Sequence, residues 1–184
     1  MKQLLIITSA FISLIKFSAA DPIISKDFEF AINFPVATES MRIDHPLGPI
    51  ISYVGVDEQK IIIYQVQAQK AKFLNDLESP SQEKLKKLNL SHFEGYIKES
   101  EGLNVKWKWM PASDWPMIEF SCEQIGFIQE GLRSYKKGYS FIKNGKIFKL
   151  TVDGVQPNQD LDPIATKFMA SFFIPDKAMI DAAK

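Results

Sequence analysis

The sequence SYKKGYSFIKNGKIFKLTV (residues 134–152) decides the fold of this chain, because it encodes a β-hairpin whose register can be derived from one turn. A two-residue type I′ turn needs positive φ at both central residues, and Asn-Gly supplies this at low steric cost. With Asn144 and Gly145 in the turn, Lys143 pairs with Lys146, and the rest of the register follows. We therefore predict two long antiparallel strands joined by this turn.

The predicted hairpin has an apolar face and a polar face, since side chains alternate across a strand. The apolar face would contain Tyr135, Tyr139, Phe141, Phe148, Leu150 and Val152. The polar face would contain Ser134, Lys136, Ser140, Lys149 and Thr151. We expect the apolar face to be buried in the core and the polar face to contact water.

A helix and a short apolar run follow this hairpin. Asp162 is predicted to cap the helix, with Pro163 at its first position. Apolar residues at near-helical spacing, such as Phe168, would face the core. The run Ser-Phe-Phe-Ile (171–174) would close the domain.

A second hairpin is predicted upstream. Residues 50–56 and 60–69 alternate apolar and polar side chains around a turn at 57–60, which would place Tyr53 opposite Tyr64. The outward face of the second strand would carry three glutamines, Gln65, Gln67 and Gln69.

A third hairpin is predicted from residues 103–110 and 115–122, and it contains all three tryptophans of the chain, Trp107, Trp109 and Trp115. Aromatic residues at strand spacing are more often part of a core than of a binding surface. Both interpretations are open for this group.

An early strand and a helical segment complete the predicted elements. Residues 28–34 alternate phenylalanine or isoleucine with polar or small residues, which is typical of a half-buried strand. Ser79, followed by Pro80, is predicted to cap a helical segment that ends at Gly102. One bent helix or two short ones would fit this segment.

The first 20 residues have the composition of a secretory signal peptide. A short basic start precedes an apolar run that is too short to span a bilayer, and Ser18 and Ala20 fit a cleavage site before Asp21. A retained membrane anchor is the alternative. We expect residues 21–184 to form one domain without a transmembrane segment, exported to the periplasm or secreted.

The charge and the cysteine content exclude some classes of protein. The 22 basic and 22 acidic residues balance, whereas a nucleic-acid-binding protein needs a basic surface. The single cysteine, Cys122, cannot form an intrachain disulfide, and it shares a strand face with Ile118 and Phe120. We therefore expect Cys122 to be a buried apolar residue, and stability to come from packing.

Catalytic and metal-binding patterns are weak in this sequence. A hydrolase would need Cys122 to meet His45 or His92, and no oxyanion motif accompanies them. One cysteine and two histidines lack any zinc-type spacing. Asp153, Asp160 and Asp162 do not match a calcium loop, and each has a turn or capping role. We expect neither cofactor nor metal, and no enzymatic activity.

The order of these elements resembles the PsbP-like α-β-α sandwich group. The residues that carry the resemblance are those of the early Phe28-Glu29-Phe30 strand with Pro35, residues 144–152, and the segment from Asp162-Pro163 to Ile174. The resemblance implies an α+β fold in which an antiparallel sheet has helices packed on both faces. Relatives of this group include photosystem accessory proteins and DcrB-type proteins of the bacterial envelope, and they share no single site that could be transferred to this chain.

Two functions are compatible with these patterns. The first is an exported accessory or adaptor protein of the bacterial cell envelope that contacts another envelope or secreted protein, through a surface containing His45, Trp107, Trp109 and Trp115. The second is a binder of a small apolar or lipidic ligand between sheet and helix, suggested by the 14 phenylalanines, 5 tyrosines and 3 tryptophans. A hydrolase ranks below both.

Overall fold

The computed structural model describes residues 16–17, 22–75, 80–111, 115–126, 131–155 and 160–182. The strands within these residues are β1 (Lys16–Phe17), β2 (Ile23–Ser25), β3 (Phe30–Ile32), β4 (Thr38–Ile43), β5 (Ile50–Asp57), β6 (Ile62–Lys70), β7 (Leu103–Trp109), β8 (Met117–Ile125), β9 (Arg133–Lys143) and β10 (Lys146–Gly154). The helices are α1 (Lys72–Asn75), α2 (Gln82–Glu99), α3 (Leu161–Ala170) and α4 (Lys177–Ala182).

An eight-stranded antiparallel sheet forms the centre of the fold. Its strand order is β1-β4-β5-β6-β10-β9-β8-β7, and a separate two-stranded sheet pairs β2 with β3. The predicted class, α+β with a large antiparallel sheet, is confirmed. The hairpin β9–β10 lies in the interior of the sheet, between β6 and β8, where both of its strands are paired on both sides.

The register predicted for the β9–β10 hairpin is confirmed. Lys143 pairs with Lys146 and Phe141 with Phe148. Asn144 has φ 48° and Gly145 has φ 69°, as a turn with positive φ at both central residues requires.

The apolar face of this hairpin is buried, as predicted. Tyr139, Phe141, Phe148, Leu150 and Val152 belong to the largest apolar cluster. Helix α3 adds Leu161, Ala165 and Phe168 to the same cluster, and β3 adds Phe30 and Ile32.

The prediction that the opposite face contacts water is wrong. Ser134, Lys136, Ser140 and Thr151 are all buried. Helix α2 packs on this face: the Asn89 amide donates hydrogen bonds to the carbonyl oxygens of Ser140 and Pro116, each at 2.9 Å. The Ser140 hydroxyl donates in return to Asn89 Oδ1 at 2.9 Å. The buried polar groups of Asn89 and Ser140 therefore satisfy each other across the interface between helix and sheet.

The second predicted hairpin exists, but its register differs by two residues. Tyr53 lies opposite Val66, and Tyr64 lies opposite Gly55. The turn includes Ile61, which has φ 53°, an uncommon conformation for a β-branched residue. Because the shift is an even number, the faces are preserved, and the apolar residues of β6 are buried as predicted.

The early strand is shorter than predicted and belongs to another sheet. Only Phe30–Ile32 is a strand, and it pairs with β2. Residues 26–29 form a turn in which Glu29 has φ 52°, so the strand begins only at Phe30. The predicted apolar run at 171–174 meets this small sheet, because Ala31 and Phe173 form an antiparallel bridge.

Two helix caps differ from the predicted ones. The segment after residue 79 is one helix of 18 residues, and its cap is Ser81, whose side chain accepts a hydrogen bond from Lys84 N. The predicted cap, Ser79, lies outside the described residues. Helix α3 is capped by Asp160, two residues before the predicted Asp162.

The predicted signal peptide lies mostly outside the described residues. The part that is described, β1, pairs with β4 through Lys16 and Glu39. Its removal and the export of the domain stay predictions. No helix among the described residues has the length and apolarity needed to cross a membrane.

Candidate functional site

The structure places the three tryptophans on two different sides of the sheet. Trp107 and Trp109 lie on β7, with ring centroids 6.1 Å apart, and Trp107 contacts Phe93 of α2. Trp115 lies on the α3 side, where its ring is 4.9 Å from Phe141 in the largest apolar cluster. The three tryptophans therefore do not form the single surface that was predicted, because only Trp107 and Trp109 lie together.

The tryptophans also differ in exposure. Trp109 and Trp115 are half-buried against core residues, in accordance with a core role. Trp107 is 44% exposed, a large value for the largest apolar side chain. Trp107 is the member of the group that can contact a partner.

His45 lies far from the tryptophans in the sheet. Its loop connects β4 to β5 and is held against β6, because Lys70 N donates a hydrogen bond to Pro49 O at 3.0 Å. Strands β10, β9 and β8 separate β6 from β7. His45 is exposed, and its Nδ1 lies 3.3 Å from the Gln69 amide nitrogen.

An open groove of about 410 Å³ runs between α2 and β7 beside Trp107. We call it the edge groove. Its apolar lining comes from Phe93, Ile97, Leu103, Val105 and Trp107, and its charged residues are Glu94, Lys98 and Glu101. Strand β7 is the last strand of the sheet and, within the described residues, pairs only with β8. The groove therefore adjoins a strand edge that offers backbone donors and acceptors.

A second, polar groove lies between the C-terminal end of α2 and the strands β6 and β10. Its volume is about 400 Å³, and it is lined by residues that include Gln65, Gln67, Tyr96, Glu99, Lys136 and Lys149. Sequence reasoning missed this groove. Two patterns in the sequence could have indicated it: glutamines alternate along β6, and polar residues alternate along β10 at Lys149, Thr151 and Asp153. These two strands are paired in the sheet.

The base of the polar groove contains a buried ion pair. The Lys136 ammonium is 3.3 Å from Asp153 Oδ1, with the two side chains 2% and 0% exposed, and it donates a hydrogen bond to the Tyr96 hydroxyl at 2.9 Å. Burial raises the pKa of the Asp153 carboxyl to about 6, although the Lys136 charge opposes this shift. Burial would lower the pKa of Lys136, but attraction to Asp153 and Tyr96 raises it overall. At neutral pH the two side chains thus form an ion pair.

Lys149 is the other ammonium of the polar groove. It lies over the Tyr96 ring at 4.2 Å from the centroid. Within the described residues no carboxylate lies at ion-pair distance from its Nζ. Burial lowers the pKa of Lys149 to about 8, with Glu99 opposing the shift and Lys136 adding to it.

The residues considered for catalysis are not assembled into a catalytic group. Burial raises the pKa of the Cys122 thiol to about 11, and no hydrogen bond joins Cys122 to His45 or His92. His92 Nε2 instead lies 3.2 Å from Gln69 Oε1, and burial lowers the pKa of His92 to about 4. Cys122 packs with Phe93, Ile118 and Phe120.

The three aspartates considered for calcium have structural contacts. Asp153 pairs with Lys136, Asp160 caps α3, and Asp162 lies 3.1 Å from the Lys137 ammonium. In the part of the chain that the structure describes, no group of three or more His, Cys, Asp or Glu side chains could hold a metal ion.

An apolar pocket of about 500 Å³ lies between α3 and the sheet. Its lining is aromatic and aliphatic, with lysines at its mouth, and consists of Asn33, Phe34, Pro35, Lys60, Tyr64, Ile164, Lys167, Phe168 and Ser171. This pocket is open to solvent on one side and is the place in the described structure that corresponds to the predicted ligand site between sheet and helix.

No protein-family model and no curated protein matches this sequence. Among solved structures, a crystal structure of a protein from Bacteroides thetaiotaomicron VPI-5482 is similar with a TM-score of 0.51 at 11% identity, covering 87% of this chain and 50% of that one. This chain thus spans about half the length of that protein. The solution structure of cyanobacterial PsbP (CyanoP) from Synechocystis sp. PCC 6803 gives a TM-score of 0.49 at 9% identity, covering 90% of this chain and 95% of that one. The sequence predicted a resemblance to the PsbP-like group, and a PsbP is among the structures found. At 11% identity, the similarity to the Bacteroides protein bears on the fold alone.

Proposed function

We propose that this protein is an exported, non-enzymatic accessory protein of the bacterial cell envelope that binds another envelope or secreted protein through the edge groove. In the same proposal, residues 1–20 direct export, and α2 and α3 form the two helical layers of a PsbP-like α-β-α sandwich. The observation that carries the proposed binding is the exposed Trp107 beside the open edge of β7. Tryptophan is enriched among the residues that dominate binding energy at protein interfaces.

The occupant that fits the edge groove is an extended segment of the partner, added as a strand to β7. An outer strand offers unpaired N–H and C=O groups to such a segment, and adjacent apolar pockets select its side chains. The groove supplies these pockets through Ile97, Val105 and Trp107. Lys98, Glu94 and Glu101 at its margin would select the charges of the partner.

Trp107→Ala should weaken partner binding about thirtyfold while leaving the fold intact, because interface anchors contribute about 2 kcal/mol or more to binding. The test places a photoreactive phenylalanine analogue at position 103, which lies in the edge groove, and irradiates cells that express the full chain. We expect one discrete crosslinked product, lost when Trp107→Ala is added.

The matched control places the same analogue at Val56, which is 49% exposed and lies on β5, away from the edge groove. It should give no such product. Equal yields from the two positions, or a yield from position 103 that Trp107→Ala does not reduce, would contradict the proposal. Unchanged unfolding of the Trp107→Ala variant distinguishes lost binding from lost structure.

The apolar pocket beside α3 supports the second candidate, a binder of an amphiphile with one apolar chain and an anionic head. Phe34, Tyr64 and Phe168 provide an aromatic floor, and the exposed Lys167 supplies positive charge. Lys60 also lines the pocket, where its ammonium lies 3.3 Å from the Asp57 carboxylate. Burial of an alkyl chain against such a floor is favourable in proportion to the area removed from water.

Oleate is the probe that distinguishes this candidate from protein binding. If the pocket binds amphiphiles, oleate should raise the unfolding temperature of the full chain, and Ile164→Arg, which fills the pocket, should abolish the effect. Val56→Arg serves as the control for added charge. An identical oleate effect in both variants would exclude the pocket as the binding site.

A further inference from the structure

The Lys149 ammonium lies in the polar groove and has no anionic partner at ion-pair distance in the part of the chain that the structure describes. Its paired neighbours in the sheet are Gln67 on β6 and Ser140 on β9. Gln67 is half-buried and lines the groove, and its side-chain amide makes no hydrogen bond to another described residue. The Lys149 side chain is half-buried, and among the described residues it contacts the Tyr96 ring but no carboxylate at ion-pair distance. Its ammonium is therefore poorly compensated, because a charge partly removed from water gains from a counter-charge or from hydrogen bonds.

The groove also has a negative margin. Glu99 and Glu101 line it at the C-terminal end of α2, and both are exposed. The carbonyl groups at the end of a helix add negative partial charge at the same place. Glu99 is near enough to act on the charge of Lys149, yet it forms no ion pair with it. The groove thus presents an ammonium and an amide on the sheet and carboxylates on the helix.

We propose that the polar groove binds a small zwitterion, a free amino acid, whose carboxylate pairs with Lys149 and accepts from the Gln67 amide while its ammonium group faces Glu99. A volume of about 400 Å³ accommodates a molecule of this size. The Lys136–Asp153 pair below the groove is internally compensated and stays part of the floor.

The positions of Lys149 and Glu99 explain why the proposed ligand carries both a negative and a positive charge. A simple carboxylate would compensate Lys149 but would be repelled by the two glutamates at the margin, whereas a simple amine would be repelled by Lys149. Burial lowers the pKa of Lys149 in the unliganded protein. A bound carboxylate would stabilise the charged form of Lys149 and raise this pKa.

The test measures the unfolding temperature of the full chain with each of the proteinogenic amino acids in turn, at constant ionic strength and neutral pH. At least one amino acid should raise the unfolding temperature by several degrees, since a ligand that binds only the folded state stabilises it. The decarboxylated amine and the deaminated acid of that amino acid should have a much smaller effect.

Two variants locate the effect. Lys149→Met should abolish the amino-acid-dependent rise, and Gln67→Leu should reduce it; the second variant covers a failure of the first to fold. Lys143→Met is the matched control, because Lys143 also lies over an aromatic ring, that of Trp115 at 4.9 Å, but outside the polar groove. No rise with any amino acid, an equal rise in Lys149→Met and the native chain, or an equal rise with the deaminated acid would each overturn the proposal.

Discussion

Lys136→Met is expected to lower the free energy of unfolding by about 3–5 kcal/mol, the cost of leaving one member of a buried ion pair without its partner. The Asp153 side chain is fully buried, and Lys136 provides the nearest positive charge, at 3.3 Å. The variant also removes the hydrogen bond from the Lys136 ammonium to the Tyr96 hydroxyl. Equilibrium denaturation with urea, followed by tryptophan fluorescence, measures the loss.

The loss should depend on pH in a defined direction. Burial already raises the pKa of Asp153 to about 6, and removal of Lys136 raises it further. A carboxyl whose folded pKa is raised keeps its proton in the folded state over a pH range in which the unfolded chain has lost it, so stability falls as pH rises through that range. Lys136→Met should therefore cost more stability at pH 8 than at pH 5.

Two further variants test the cause. Lys136→Met combined with Asp153→Leu should recover most of the loss, because replacing both members of a buried pair with apolar groups is often near neutral. Lys108→Met breaks an ion pair with Glu119 at 3.0 Å in which Lys108 is largely exposed, and it should cost at most about 1 kcal/mol. If the double variant is as unstable as Lys136→Met, the uncompensated charge is not the reason for the loss.

The β9–β10 hairpin contains one feature that the sequence predicts and one that it does not. The β9–β10 register was predictable because it depends on one local turn, Asn144-Gly145. The burial of its polar face was not predictable, because alternation shows only that Lys136 and Ser140 share a face with other polar side chains. Whether such a face contacts water or a helix depends on α2, whose Asn89 is 51 residues from Ser140 in the chain.

Two residues with positive φ account for the wrong register of the β5–β6 hairpin and for the shortened strand β3. Ile61 and Glu29 both have positive φ, near 53° and 52°, and neither residue type signals this conformation. Ile61 lengthens the β5–β6 turn and shifts the pairing by two residues. Glu29 turns the chain so that Phe30 enters a separate sheet.

The candidate sites were predictable to different extents. Exposure of Trp107 follows from its place on an outer strand, and strand order is set by long-range pairing rather than by the local pattern. Predicting the polar groove would have required two long-range facts. These are that Gln67 pairs with Lys149 in the sheet and that the Tyr96 ring lies beside the Lys149 ammonium. Each residue was visible in the sequence, but only the fold places the three side chains around one cavity.

Phe30→Ala is the other substitution for which we expect a large effect, a loss of about 3–5 kcal/mol in the free energy of unfolding, as is typical for truncating a buried phenylalanine. Phe30 is 0% exposed. Its ring contacts three others at centroid distances of 5.7–5.8 Å, those of Tyr53, Phe148 and Phe172. These rings belong to β5, β10 and the segment after α3, so the truncation would leave a cavity where the small sheet meets the large one.

Phe173→Ala is the matched control, because Phe173 is 36% exposed and bridges the same small sheet through its backbone. The bridge hydrogen bonds between Ala31 and Phe173 do not involve the Phe173 side chain, so this variant should lose only the partial burial of its ring, about 1–2 kcal/mol. Urea denaturation of both variants gives the comparison, and the Phe30→Ala transition should remain a single cooperative step, since both sheets share one apolar cluster. Similar losses for the two variants, or a separate early transition in Phe30→Ala, would mean that the two-stranded sheet is only loosely attached to the domain and that Phe30 does not join the two.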